Sequence, residues 1–204
     1  GERRLLGAEP SLSGVALLLG VRGEHPALAH HTILFSGDYR REFAELGRGL
    51  VPTEPTVYLA LTCRTDPDHA PAGHENWFVL VNAPPLGPGT DWGDPGLVRA
   101  VRGRVVERIR AFGIGLDEEA IVVERHLTPA DLAERTGAHR GALYGPSSSR
   151  AMNAFERPPN RDPDLAGLYY VGGSTHPGGG VPMVMLSGRH TATLVGRDLG
   201  LPAA

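Results

Sequence analysis

Lysine and glutamine are absent from the 204 residues, so all 20 basic side chains are arginine. With 23 acidic residues the formal charge is −3. Polyanion binding needs a clustered basic excess, and none is present, which excludes nucleic acid as a partner. The arginine bias reads as the mark of a GC-rich coding sequence rather than of anion recognition. Cys63 is the single cysteine; no internal disulfide can form, and the chain fits a reducing, cytoplasmic compartment. The longest apolar run, Val15 to Val21, is far below the ~20 residues that cross a bilayer. The dinucleotide fingerprint G-x-G-x-x-G is also missing, because Gly113-Ile114-Gly115 has Glu118 where the third glycine belongs. What remains is 41% hydrophobic, enough for a globular core of one domain or two small ones.

Apolar and β-branched runs predict strands over Val15–Leu19, Thr32–Phe35, Thr56–Thr62 and Trp77–Asn82, arranged as an antiparallel meander, and a separate short strand over Ile121–Val123. Imperfect alternation in Val57–Thr62 suits a strand covered on both faces or one wall of an apolar cavity. Asp38 predicts a helix cap before Tyr39–Leu46. Val98, Val101, Val105, Ile109 and Phe112 recur at helical spacing, with Arg102, Arg104, Glu107, Arg108 and Arg110 expected on the solvated side. Thr128-Pro129-Ala130-Asp131 opens another helix with a capping hydroxyl and an early proline, and Gly137 closes it. Residues 141–160 turn to glycine, serine and proline and read as a long connection.

Near the C-terminus, Gly172-Gly173-Ser174-Thr175-His176-Pro177-Gly178-Gly179-Gly180-Val181-Pro182-Met183 joins an expected buried strand, Leu168–Val171, to a helix over Val181–Leu199. The first-turn N–H groups of that helix and its dipole point into a loop poor in side chains, a setting that favours a flat, partly anionic ligand.

This run resembles the C-terminal flavin-contacting motif of the phytoene desaturase family, FAD-dependent enzymes that insert double bonds into carotenoids. Other segments resemble the family in its own order: Ser11-Leu12-Ser13-Gly14, His30-His31-Thr32-Ile33-Leu34-Phe35-Ser36, Asp38-Tyr39-Arg40-Arg41-Glu42-Phe43, Thr65-Asp66-Pro67, Glu75-Asn76, Arg157-Pro158-Pro159-Asn160-Arg161 and Gly167-Leu168-Tyr169. The resemblance implies an α/β fragment of a two-domain flavoprotein. Residues 1–150 are then the substrate-side region, an antiparallel sheet with helices. Residues 151–204 are the C-terminal strand and helix of a Rossmann-like FAD domain whose dinucleotide-binding half is absent.

It further implies FAD as cofactor, held by Gly172, Gly173, Ser174, Thr175, His176, Gly178, Gly179, Gly180, Val181, Pro182 and Met183, and an apolar carotenoid precursor as partner. The enzyme would take that precursor from a membrane surface, peripherally on the inner face of the cell membrane. A related carotenoid isomerase or ketolase is the neighbouring reading. The reading from another class is a non-catalytic fragment that binds an apolar ligand or a partner chain, with self-association or docking to the missing half through exposed apolar surface. His176 is the candidate proton acceptor. No metal is expected: His25, His30 and His31 lack partner ligands at metal spacing, and adjacent His30 and His31 should point to opposite faces of a strand.

Overall fold

A computed structural model describes residues 9–147 and 157–201. They form two compact units, Ser13–Gly141 and the flanking residues 9–12, 142–147 and 157–201. The expected boundary at residue 150 lies outside the described residues.

The first unit is built on a sheet of five strands: β1 (Ser13–Arg22), β2 (His31–Leu34), β3 (Val57–Ala60), β4 (His74–Ala83) and β5 (Ile121–Leu127). Their order is β2-β3-β4-β1-β5, and every neighbouring pair is antiparallel. Only β2-β3-β4 form the expected meander. β1 sits between β4 and β5, paired with β4 along its whole length from Ser13 opposite Ala83 to Arg22 opposite His74. A strand with apolar side chains on both faces, as in Val15-Ala16-Leu17-Leu18-Leu19, suits such a central position. β3 ends earlier than Thr62, because Thr62–Arg64 winds into a 3-10 turn held by Asn76, whose side chain accepts from Cys63 N and donates to Thr62 Oγ1.

One face of the sheet is the core. Val15, Leu17, Leu19 and Val21 of β1, Trp77, Val79 and Val81 of β4 and Val57 and Leu59 of β3 are all buried there. They join Val101, Val105, Val106 and Ile109 of helix α2 (Pro95–Ala111) in one cluster. Three helix starts in this unit follow local chemistry. Asp38 accepts from Arg41 N before α1 (Tyr39–Gly47), and Asp94 accepts from Gly96 N before α2. Thr128 and Asp131 form a reciprocal capping box on α3 (Pro129–Thr136), which Gly137 ends at φ 67°.

The arginines of α2 correct the expectation of a plainly solvated face. Arg102 bridges Glu118 and Glu124, Arg104 donates to the carbonyls of Val51 and Pro52, and Arg110 donates to Leu116 O. Arg108 pairs with Glu54 and lies over the Phe112 ring, 4.9 Å from its centroid. Forked guanidiniums stitch the helix to the loop before β3, to the connection after α2 and to β5, which a heptad-style reading of apolar spacing does not register.

In the second unit, Leu168–Val171 is not a buried strand. Tyr169 makes one isolated bridge to Arg161, and Val171 is 62% exposed. A β-branched run becomes a strand only where neighbouring backbone completes a ladder, and among the described residues only Asp162 N to Leu168 O and Tyr170 N to Asn160 O do so. The final helix, α4 (Val181–Asp198), forms where one was expected over Val181–Leu199, with Ser187 its buried residue.

Candidate functional site

Two features stand out, one in each unit. The first is the glycine loop. Gly172, Gly178 and Gly180 have φ of 122°, 140° and 98°, conformations that side-chain-bearing residues rarely adopt. The loop is pinned from behind. Ser187 Oγ accepts from Gly172 N at 3.1 Å, and Asn160 Nδ2 lies about 3 Å from Ser187 Oγ, His176 O and Tyr170 O. Thr175 Oγ1 and His176 N both donate to Pro158 O. Arg157 Nη1 donates to the carbonyls of Tyr144 and Gly173, and its burial pushes the guanidinium pKa down.

The glycines divide by what surrounds them. A Cβ on Gly179 would meet the Tyr144 ring at 2.4 Å, and one on Gly178 would meet Arg157 Nε at 3.2 Å, so these two make room for protein atoms. Around Gly172 and Gly180 the space is open. Beyond Gly180, no side chain caps α4, and Pro182 occupies its first turn. The donors of Val181 and Met183 therefore open outward, where Ser174, His176, Val181, Pro182 and Met183 are all exposed. His176 stacks against His190, ring centroids 6.1 Å apart. Positive-φ glycines, an uncapped helix start and a braced back wall fit the anionic edge of a planar ring system better than they fit a bulky or cationic group.

The second feature is the open face of the sheet. Cross-strand register aligns Ile33, Tyr58, Leu80, Ala16 and Leu127 in one row, and His31, Ala60, Phe78, Leu18 and Arg125 in the next. These positions alternate with the core residues, so they project to the other side. Ile33 is 51% exposed, Phe78 37% and Leu18 36%. Five strands at ~4.8 Å spacing make an apolar strip about 19 Å wide.

Each of the three N-terminal histidines has its Nδ1 on a protein partner: His25 on Glu75, His30 on Thr65 and His31 on Tyr58. His30 and His31 do not point apart. His30 precedes β2, and the two rings lie 4.4 Å apart. A cleft of about 360 Å³ beside α1 and α2 contains Glu45, Asp91, Asp94 and Arg104. Those groups are spent on Thr53, Gly93 N, Gly96 N and the Val51 and Pro52 carbonyls, so the cleft presents little unsatisfied chemistry.

Sequence reasoning overlooked Asn160 and Ser187 as the loop's braces and His31 with Tyr58 as a pair. Asn160 stands inside Arg157-Pro158-Pro159-Asn160-Arg161, where a lone amide among prolines was the available signal; the other contacts are long-range.

No family model matches the chain. Among curated proteins it is similar to a 1-hydroxycarotenoid 3,4-desaturase from Flavobacterium sp., 40% identical over 194 residues, covering 94% of this chain and 39% of the relative. A 4,4'-diapolycopene oxygenase from Methylomonas sp is 36% identical over 94% of this chain and 38% of its own length. A lycopene-forming phytoene desaturase from Pseudescherichia vulneris is 36% identical over 90% of this chain and 37% of its own. The chain thus spans a little over a third of the length of the curated relatives it matches. Aligned over nearly all of its own residues with carotenoid desaturases and oxygenases, it belongs to the phytoene desaturase family.

Proposed function

We propose that this chain supplies the substrate-facing sheet and the flavin-facing loop of an FAD-dependent enzyme that desaturates a long apolar polyene. The observation that carries this reading is the apolar strip of β1–β5, exposed in a chain whose relatives are named for work on carotenoids. A hydrocarbon chain lying on Ile33, Leu80, Phe78 and Leu18 would exclude water from both surfaces.

In the second unit, read as the C-terminal part of a Rossmann-like FAD domain, residues 172–176 and 178–183 hold the ring end of the flavin. When bound, the flavin supplies a two-electron acceptor for C–H bonds of the polyene. The chain's own residues then have separable tasks. Gly172 and Gly180 admit close backbone approach, and the N–H groups of Val181 and Met183 with the α4 dipole stabilise negative charge on the ring. Ser174, exposed, lies beside that edge, Thr175, buried with its hydroxyl on Pro158 O, braces the loop behind it, and His176, exposed and stacked on His190, is the candidate proton acceptor.

The ADP end requires a G-x-G-x-x-G fingerprint that these 204 residues lack, so the isolated chain binds FAD weakly or not at all. Val181 and Met185 of α4 are 75% and 71% exposed, which supports docking of this unit to further protein, from the same parent or a second copy. Peripheral membrane attachment is supported by an exposed aromatic ladder, Phe35, Tyr39 and Phe43, with ring centroids 6.3 and 4.8 Å apart and Arg40 beside it. Among the described residues no helix is long and apolar enough to cross a membrane.

The experiment is incubation of the flavin-loaded parent protein with phytoene and its more desaturated products, followed by absorption spectra. Red-shifted polyenes are expected, and unchanged ones would overturn the assignment. Some relatives are named oxygenases, which favours a ketolase-type reaction as the second reading; an isomerase is the third. Oxygen incorporation or geometric change without new double bonds would select between them. An inert, flavin-free parent would instead support the reading of a non-catalytic binding module.

A further inference from the structure

We propose that the His31–Tyr58 pair recognises an oxygen atom at one end of an otherwise apolar ligand lying across the sheet. The proposal rests on the reading of the open face as a ligand wall and adds to it the end group of the ligand.

The two central rows of that face are hydrocarbon over Ile33, Leu80, Ala16 and Leu127 and over Ala60, Phe78 and Leu18. Polar atoms enter these rows from Arg125 on the edge strand β5, from His31 on the edge strand β2 and from Tyr58 on β3 beside it. The β2–β3 margin is the organised one. Tyr58 Oη lies 2.8 Å from His31 Nδ1, and the two rings stack with centroids 5.9 Å apart and planes 19° from parallel. Phe78 meets Tyr58 edge-on at 6.4 Å, so the phenol is seated on the apolar strip while its hydroxyl stays at the rim. The pair is a diagonal cross-strand contact, since Tyr58 is directly opposite Ile33 and His31 opposite Ala60.

One hydrogen bond does not use up the valences of these two groups. A tyrosine hydroxyl donates once and accepts twice, and a neutral imidazole has a second nitrogen. With the phenol proton directed at Nδ1, the Nε2–H of His31 is left to donate and the Tyr58 oxygen to accept. The other tautomer reverses these roles. Either way the pair presents a donor and an acceptor together, which matches a terminal hydroxyl and offers nothing to a methyl group. The alternative is a strand-to-strand staple with no ligand role, which would affect all ligands alike.

The test measures binding of two probes to the whole chain, all-trans-retinol and the polyene hydrocarbon that differs from it only in lacking the hydroxyl. Retinol fluorescence reads the first, and displacement of retinol reads the second. Retinol is expected to bind about tenfold tighter than the hydrocarbon, the effect of one hydrogen bond made in an apolar site, ~1.4 kcal/mol. Tyr58→Phe, which keeps the ring and the packing, and His31→Ala, at an exposed position, should each bring that ratio near one while hydrocarbon affinity changes less than about twofold. A ratio unaltered in both variants overturns the proposal and leaves the ligand wall standing. Equal loss for both probes also overturns it, in favour of the staple. If neither probe binds the unaltered chain, the ligand wall fails and the end-group role falls with it.

Discussion

The indole N–H of Trp77 donates to the Glu75 carboxylate at 2.9 Å, from two residues further along the same strand. Glu75 is 3% exposed and also takes His25 N at 2.9 Å, His25 Nδ1 at 2.8 Å and Arg64 Nη2 at 2.6 Å. One carboxylate thus anchors the turn after β1, the 3-10 turn before β4 and the largest core side chain.

Removing this acceptor strands four donors, the buried indole N–H of Trp77 among them. Glu75→Ala should cost about 3–5 kcal/mol in urea unfolding, and Glu75→Gln less. Burial raises the pKa of Glu75, but hydrogen bonds from His25 N, the indole and the His25 ring, with the charge of Arg64, outweigh it and hold the group below its ordinary 4.5. A carboxylate with a depressed folded-state pKa contributes stability that is fully present above the unfolded value and lost as pH falls through the folded one. Stability should therefore decline on acidification below about pH 4.5 more steeply in the unaltered chain than in Glu75→Gln. Equal slopes would refute this.

Tyr144 lies where a side chain at residue 179 would stand, with Cδ1 2.4 Å from an ideal Cβ. Gly179→Ala should destabilise the second unit by about 1–3 kcal/mol. Combining it with Tyr144→Ala should recover part of that loss, a coupling readable in a double-mutant cycle. Strict additivity would show that the loop yields elsewhere.

Ser187 is fully buried and joins Gly172 N to Asn160. Ser187→Ala leaves Gly172 N without its acceptor, while Asn160 keeps the carbonyls of Tyr170 and His176, at a cost of about 1–3 kcal/mol. Amide exchange at Gly172 should accelerate while Val79 and Val81 stay protected. Unchanged exchange at Gly172 would mean that Ser187 does not hold the loop.

Phe35, Tyr39 and Phe43 are 58%, 52% and 40% exposed. If this ladder meets lipid, replacing all three by serine should reduce flotation with phosphatidylglycerol vesicles at least about tenfold, since three aromatic rings bury substantial area at an interface. Equal flotation would remove the ladder from the membrane account.

What could be read along the chain was local. Asp38 and the Thr128–Asp131 box declare their helices because a cap and its N–H partners lie three residues apart. The period of Val101, Val105 and Ile109 declares α2. Strand order was not legible, because the position of β1 depends on β4, sixty residues away, and on β5 further still. Leu168–Val171 has strand composition without a ladder to enter. At the candidate site, the glycines and the bare start of α4 are visible in the sequence, whereas the Asn160–Ser187 brace and the His31–Tyr58 pair join residues 27 apart in each case. Their identities alone, an asparagine and a serine, a histidine and a tyrosine, describe many surfaces.

The central place of β1 has a consequence for biosynthesis. Of the five strands it is made first yet acquires both neighbours late, β4 only once Ala83 has been made and β5 only after Leu127. Through that interval its leucines and valines lack their final shelter, and closure of the sheet must gather distant stretches of chain, a topology associated with slow folding. Nascent forms halted before β4 are those most exposed to sticking together or to capture by chaperones.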